Sequence, residues 1–106
     1  MKLCFYDLET TDCDHRTRHE RVQICALAAY LPDSKKKFQI CMIPTNPINP
    51  GASRVNGFTV VDDELFHKGS LVKDAVSIKE GLESFLEFLE ENAGENVERF
   101  VLVRYI

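Results

Sequence analysis

Two acidic residues interrupt an apolar run near the start of the sequence. Residues 3–6 have the aromatic and apolar bias of a buried strand, and Asp7 and Glu9 follow directly. Side chains two positions apart in a strand point to the same face, so the two carboxylates should lie together. Adjacent like charges repel unless a cation or a shared proton compensates them, and carboxylate oxygens suit Mg²⁺ or Mn²⁺. From these residues alone, half of a metal site and a pair of solvated acids are equal alternatives.

A second group of metal-ligand types lies in the polar connector of residues 12–21. Cys13, His15 and His19 are zinc-ligand types, but no clear fourth ligand accompanies them. A zinc-binding module is therefore an alternative function class.

The cysteines indicate a reducing compartment. The four cysteines form no C-x-x-C pair, and three of them lie in apolar, strand-like runs: Cys4, Cys25 and Cys41. Buried, reduced thiols are typical of intracellular proteins, so we expect a nuclear or cytoplasmic location. The sequence has no signal-peptide profile and no run of about 18 apolar residues, so we expect no membrane segment.

Length and charge limit the function classes. A chain of 106 residues with 44% hydrophobic residues builds one domain with a modest core. The net charge of −4 disfavours general polyanion binding, but residues 1–37 carry seven Lys/Arg against six Asp/Glu. The basic side chains cluster at Arg16, Arg18 and Arg21 and at Lys35, Lys36 and Lys37. These clusters either steer a phosphate backbone to this half or are solvated loop and hairpin charges.

The apolar patterns predict three strands before the first helix. After the opening strand, residues 22–31 form a long apolar run, typical of a central strand buried on both faces. The turn signal at residues 32–34 and the alternation in residues 35–43 predict a third strand, paired with the second as a hairpin. Residues 44–70 are predicted to be irregular, with a short helix or turn at residues 60–66.

A capping box marks the helix. Ser77 and Glu80 have the N-cap and N3 spacing, and Gly94 is a natural stop. The predicted packing stripe consists of Ile78, Leu82, Phe85, Leu86 and Leu89. Residues 100–106 then read as a last apolar strand.

The element order β-β-β-α-β predicts an α/β fold with a mixed sheet. A helical crossover most naturally places the last strand parallel to the first, which becomes central. Active sites of open α/β sheets lie beyond the carboxyl ends of such strands, where Asp7 and Glu9 stand. This placement favours the metal-site interpretation over solvated acids.

Three segments together resemble a known nuclease family. Phe5–Thr11 resembles the first motif of the DEDD exonucleases, which have a ribonuclease H-like fold. Arg21–Ala28 is similar to the family's second strand. Pro50–Thr59 resembles the loop typical of the DEDDh branch, which includes proofreading and three-prime repair exonucleases, with Asn56 in place of the frequent His.

The resemblance implies a two-metal 3′–5′ exonuclease mechanism. Two Mg²⁺ or Mn²⁺ ions activate a water and stabilise the leaving 3′ oxygen at a nucleic acid 3′ end. By position, Asp7 would bridge both ions and Glu9 would bind one of them. Leu8, Thr10 and Thr11 would line the pocket for the terminal nucleotide. A histidine base of this branch would deprotonate the water.

The sequence departs from the family pattern after residues 100–106, where a second-motif Asp is expected but absent. The third motif, with its base and a further Asp, would come later still. The resemblance therefore implies that residues 1–106 are a single partial domain, truncated before the last strand and the C-terminal helices. We expect this N-terminal part to be inactive, because two of four metal-binding carboxylates hold a metal pair poorly. The alternative is a non-catalytic binding or scaffolding module. An uncovered sheet face and edge predict a homodimer or larger assembly.

Overall fold

The computed structural model describes residues 2–12, 22–94 and 100–104, which form two sheets and two helices. The elements are β1 (Lys2–Thr10), β2 (Ile24–Leu31), β3 (Lys36–Ile43), α1 (Pro50–Asn56), β4 (Phe58–Val61), β5 (Glu64–His67), β6 (Ser70–Leu71), β7 (Val76–Ser77), α2 (Ile78–Glu91) and β8 (Phe100–Arg104). The predicted zinc-ligand types and the first basic cluster lie outside the described residues: Cys13, His15, His19, Arg16, Arg18 and Arg21. In the described ranges, no helix has the length and apolarity needed to cross a bilayer.

The central sheet has the predicted mixed topology. Its strand order is β7-β3-β2-β1-β8, with β1 antiparallel to β2 and parallel to β8. The predicted hairpin is formed by β2 and β3. The first strand thus lies between the hairpin and the last strand, which confirms the predicted α/β arrangement.

One face of this sheet packs against α2. Ser77 is the predicted N-cap, because its hydroxyl accepts a hydrogen bond from the Glu80 backbone N–H at 3.1 Å and donates one to the Glu80 carboxylate at 3.2 Å. The core between helix and sheet consists of Phe85 from α2 and the buried side chains of Cys4, Leu27, Ala29, Leu31 and Met42. Phe38 joins this core by packing its ring against Phe85 and Phe88.

The predicted packing stripe of α2 is confirmed in part. Ile78, Phe85 and Leu89 pack on the core as predicted, but Leu82 and Leu86 are exposed and Gly81 is buried. A Cβ atom at position 81 would lie 2.6 Å from Met42 Cγ, so the helix comes too close to β3 there for any side chain. The close approach at Gly81 turns the leucines predicted to be buried toward solvent.

The second strand is covered more on one face than on the other. Residues 22–31 were predicted to be buried on both faces, but Ala28 and Tyr30 of β2 are exposed. A second layer covers only part of this open face, so an apolar run here does not mean burial on both sides.

That second layer is a meander where the sequence predicts mostly irregular structure. The strands β4, β5 and β6 form a three-stranded antiparallel sheet, so of the predicted short helix or turn at residues 60–66 the helix is wrong and the turn is present at Asp62 and Asp63. Asp62 and Asp63 turn the chain with φ values of 52° and 62°, as a tight hairpin turn requires. The meander packs on the central sheet through a second core, which includes Cys25, Phe58 and Leu65.

Candidate metal and nucleotide groove

Strand register places both predicted metal ligands on the open face of the central sheet. Asp7 pairs with Ala28 and Glu9 pairs with Ala26, so each acid stands beside an alanine. Directly paired residues of adjacent strands share a face. The small alanine side chains leave space above β2, and Asp7 and Glu9 form the acidic floor of a groove in that space.

The meander supplies the opposite wall of this groove. The groove encloses about 340 Å³, and its wall includes Asn56, Phe58, His67 and Val72. Gln39 and Cys41 of β3 complete the floor, because they pair with Ala28 and Ala26. The groove therefore lies between the carboxyl end of β1 and the first strands of the meander.

A β-bulge at the end of β1 shapes the acidic floor. The register shifts between Glu9 and Thr10, and Thr10 pairs with Ile24 rather than Cys25. The extra residue turns both Cys25 and Ala26 toward the second core. The Cys25 thiol donates a hydrogen bond to the Glu9 carbonyl at 3.4 Å. Burial, with the Glu9 and Cys41 charges adding to it, raises the pKa of Cys25 to about 12.

Asn56 ties the meander to the end of β1. Its amide nitrogen donates to the Thr10 carbonyl at 3.1 Å, and its amide oxygen accepts from the Phe58 backbone N–H at 2.9 Å. Gly57, at a φ of 79°, ends α1 between these two contacts. The residue that replaces the family's frequent His is thus a structural link between floor and wall.

Thr11 anchors the chain just beyond β1. It is 2% exposed, and its hydroxyl accepts a hydrogen bond from the Gln23 backbone N–H at 3.1 Å. Its own N–H donates to the Gln23 carbonyl, and its carbonyl accepts from the Asn49 N–H. Thr11 thereby holds the exit of β1 against the start of β2 and the segment before α1.

The structure separates the five predicted site residues into two groups. Only Asp7 and Glu9 line the groove. The Leu8 side chain packs into the core under α2, on the other face of the sheet. The Thr10 hydroxyl donates to the Asp12 carbonyl at 2.9 Å. The substrate-binding role of Leu8, Thr10 and Thr11 stays a prediction.

Sequence reasoning assigned no role to His67, which lies in the groove wall. Its Nε2 atom is 3.1 Å from the Asn56 carbonyl oxygen, and its ring lies 4.5 Å from the ring of Phe58. The sequence signal for this residue was the hairpin of β4 and β5, marked by apolar runs around Asp62 and Asp63. Without that hairpin, nothing places residue 67 beside residue 9.

Comparison with known proteins identifies the fold. No family model matches the sequence, and no curated protein matches it. The structure does resemble the nuclease domain of 3′hExo, a DEDDh family member solved with bound rAMP, at a TM-score of 0.62 and 14% identity over 97% of this chain. The chain therefore shares the fold of this nuclease domain. A full-length 3′-exonuclease matches equally well, with the same TM-score and coverage of this chain.

The chain spans about half the length of these exonuclease structures, 50% of the first and 45% of the second. At 14% identity the likeness shows the fold and not the chemistry. The α/β, ribonuclease H-like architecture predicted from the sequence is thereby confirmed.

The acidic floor suits a hydrated divalent cation. Asp7 and Glu9 offer carboxylate oxygens, and Mg²⁺ commonly uses one or two carboxylates together with waters and substrate phosphates. Within residues 2–12, 22–94 and 100–104, no cluster of three or more His, Cys, Asp or Glu side chains suits a metal ion. Two carboxylates fit a cation that keeps most of its water or shares phosphate oxygens with a ligand.

Proposed function

We propose that this chain is the N-terminal part of a metal-dependent 3′–5′ exonuclease domain that acts on nucleic acid 3′ ends. The observation that carries the proposal is the position of Asp7 and Glu9 in one groove at the carboxyl end of a central strand. Ligand sites of open α/β sheets lie at this position. The shared fold with a nuclease domain solved with rAMP supports a nucleotide as the ligand.

In this proposal Asp7 and Glu9 hold Mg²⁺ or Mn²⁺. A bound ion of this kind polarises phosphoryl oxygens and lowers the pKa of water. The two carboxylates also exclude a bare phosphate from the groove, because like charges repel. A nucleotide phosphate thus enters together with the cation that neutralises the acidic floor.

Neighbouring residues position the acids. Leu8 fixes β1 in the core between the two carboxylates, and Thr11 fixes the chain after them. Asn56 holds the Thr10 carbonyl, which limits movement of the meander relative to Glu9. The metal pair of a complete exonuclease needs further carboxylates than Asp7 and Glu9. We therefore propose that residues 1–106 alone bind metal and nucleotide without cleaving nucleic acid.

A manganese titration tests the proposal, and a cleavage assay distinguishes its alternative. Mn²⁺ should bind with an affinity that depends on Asp7 and Glu9, while a 5′-labelled oligonucleotide stays intact. A ladder of shortened products that Asp7→Ala abolishes would show an active enzyme. A non-catalytic binding or scaffolding module that has lost the metal chemistry predicts neither cleavage nor a carboxylate-dependent metal site.

We also propose that the chain forms a homodimer or a larger assembly through its open sheet face. Leu3, Tyr30 and Val101 share this face and are 43%, 36% and 38% exposed. The face also adjoins β8, an edge strand of the sheet. Exposed apolar surface and unpaired strand edges both favour association. Sedimentation should show a dimer or larger species at tens of micromolar, and a monomer there would contradict the proposal.

The thiols support an intracellular site of action. Cys4, Cys25 and Cys41 are free, and the first two are buried. Free buried thiols suit a reducing compartment. We propose a nuclear or cytoplasmic location on this basis.

A further inference from the structure

Two contacts hold His67 in the groove wall: a hydrogen bond at one edge of its ring and packing against Phe58. The Nε2 atom lies 3.1 Å from the Asn56 carbonyl oxygen, so in the neutral ring this atom carries the proton and donates it. Phe58 packs at a ring-centroid distance of 4.5 Å and an interplanar angle of 38°. These two contacts fix the imidazole in one orientation.

The backbone next to His67 leaves the ring little room to move. Gly57 has a φ of 79°, and a Cβ atom there would lie 2.9 Å from Lys68 Cγ and 3.3 Å from the imidazole, so a side chain at this position would crowd the ring. Phe58 is buried, and its ring is covered by the second core. His67 is half-buried and lines the groove, so part of its aromatic surface faces the same space as Asp7 and Glu9.

The groove has two chemically different sides. Its floor carries two carboxylates, and no Lys or Arg is among its lining residues within the described part of the chain. Its wall is formed largely by an imidazole and apolar side chains, including Val72. A cation with a phosphate suits the floor. A flat aromatic group suits the wall, since nucleobases stack on Phe, Tyr, Trp and His side chains.

We propose that His67 stacks against the nucleobase of the nucleotide bound in this groove. The inference rests on the proposed function and names the side chain that contacts the base of the bound nucleotide. Stacking accepts any base, because every base has a π-face. His67 is therefore a binding residue for nucleotides in general, and its Nε2 hydrogen bond to Asn56 orients the ring for that contact.

The test compares a ligand that has a base with one that does not. Calorimetry in Mg²⁺ measures the affinities of AMP and ribose 5-phosphate for the wild type, His67→Phe and His67→Gln. Phe keeps an aromatic face, and Gln keeps a side-chain N–H donor without a ring. We expect the wild type to prefer AMP by roughly tenfold or more, since one stacked base changes affinity by that order. His67→Gln should lose most of this preference and His67→Phe should keep it.

The outcomes separate this inference from the proposed function. Equal affinities of the wild type for both ligands would overturn the stacking role and leave the metal and phosphate site standing. An unchanged preference in His67→Gln would also overturn it. Binding of neither ligand would contradict both proposals.

A measurement on the wild type decides the matter if a variant fails to fold. In the saturated Mg²⁺–AMP complex, nuclear Overhauser contacts should connect the adenine protons with the His67 ring protons. Their absence in a saturated complex would overturn the inference regardless of how the variants behave.

Discussion

At the scale of single residues, the site depends on the two-residue spacing of Asp7 and Glu9. The spacing predicted a shared face, and the register with Ala28 and Ala26 agrees with it. The groove wall did not follow from local spacing, because Asn56 and His67 lie far along the chain from Glu9. Asn56 occupies a position where the family pattern has His, and its amide makes two hydrogen bonds that only the folded chain reveals.

Cys25 gives a residue-scale prediction about alkaline stability. Its pKa is raised by burial, with Glu9 and Cys41 adding to the effect, from an ordinary 9.0 to about 12. The folded state then keeps a proton that the unfolded state loses. The stabilisation is complete below pH 9 and is lost as the pH rises toward 12, at up to about 1.4 kcal/mol per pH unit.

Urea unfolding of the wild type and Cys25→Ala at pH 8, 9 and 10 measures this contribution. Removal of the thiol lowers the free energy of unfolding at every pH, because a buried side chain is truncated. The wild type should nevertheless lose stability more steeply above pH 9 than the variant does. Parallel curves for the two proteins would contradict the prediction. Cys4 and Cys41 also have raised pKa values, so part of the loss of stability above pH 9 should remain in the variant.

At the scale of elements, the sequence predicted α2 better than the hairpin of β4 and β5. The Ser77 and Glu80 spacing located the start of α2 to the residue, but the helix ends at Glu91 with Asn92 as its C-cap, before the predicted stop at Gly94. The hairpin of β4 and β5 was missed, because Asp62 and Asp63 are not the usual glycine-containing pair at a tight turn. Within α2, the burial of Leu82 and Leu86 was predicted wrongly, because helical periodicity alone does not show that Gly81 makes the close contact with the sheet.

Gly81→Ala tests the helix-to-sheet contact. The new Cβ would lie 2.6 Å from Met42 Cγ and 2.7 Å from Met42 Sδ, inside a core where Met42 is fully buried. Overpacking typically costs 1–3 kcal/mol, and the better helix propensity of Ala returns about 1 kcal/mol. We expect a net loss of about 1 kcal/mol in the free energy of unfolding. Denaturant titration measures it, with Glu83→Ala on the exposed face as the control that changes little. A stabilised Gly81→Ala variant would contradict the close packing.

At the scale of the whole molecule, most of the fold could be predicted from the order of the strands and the helix along the chain. A helical crossover from the hairpin to a parallel last strand leaves few arrangements, and β1 became central as predicted. The exposure of one face of β2 was not predicted. Ala28 and Tyr30 are apolar although they lie on that exposed face, so their residue types do not show which face of the strand is covered. Only the folded meander shows that the covered end of this face adjoins the acids and that the other end is open.

The central claim is that Asp7 and Glu9 form one cation site in this fold. Electron paramagnetic resonance titration with Mn²⁺ tests it on the wild type, Asp7→Asn and Glu9→Gln, with Asp33→Asn in an exposed turn as the control. Each groove variant keeps the shape of its side chain and removes one charge. The account predicts Mn²⁺ binding that weakens at least about tenfold in both groove variants and is unchanged in the control. Equal Mn²⁺ affinity in the wild type and Asp7→Asn would contradict it.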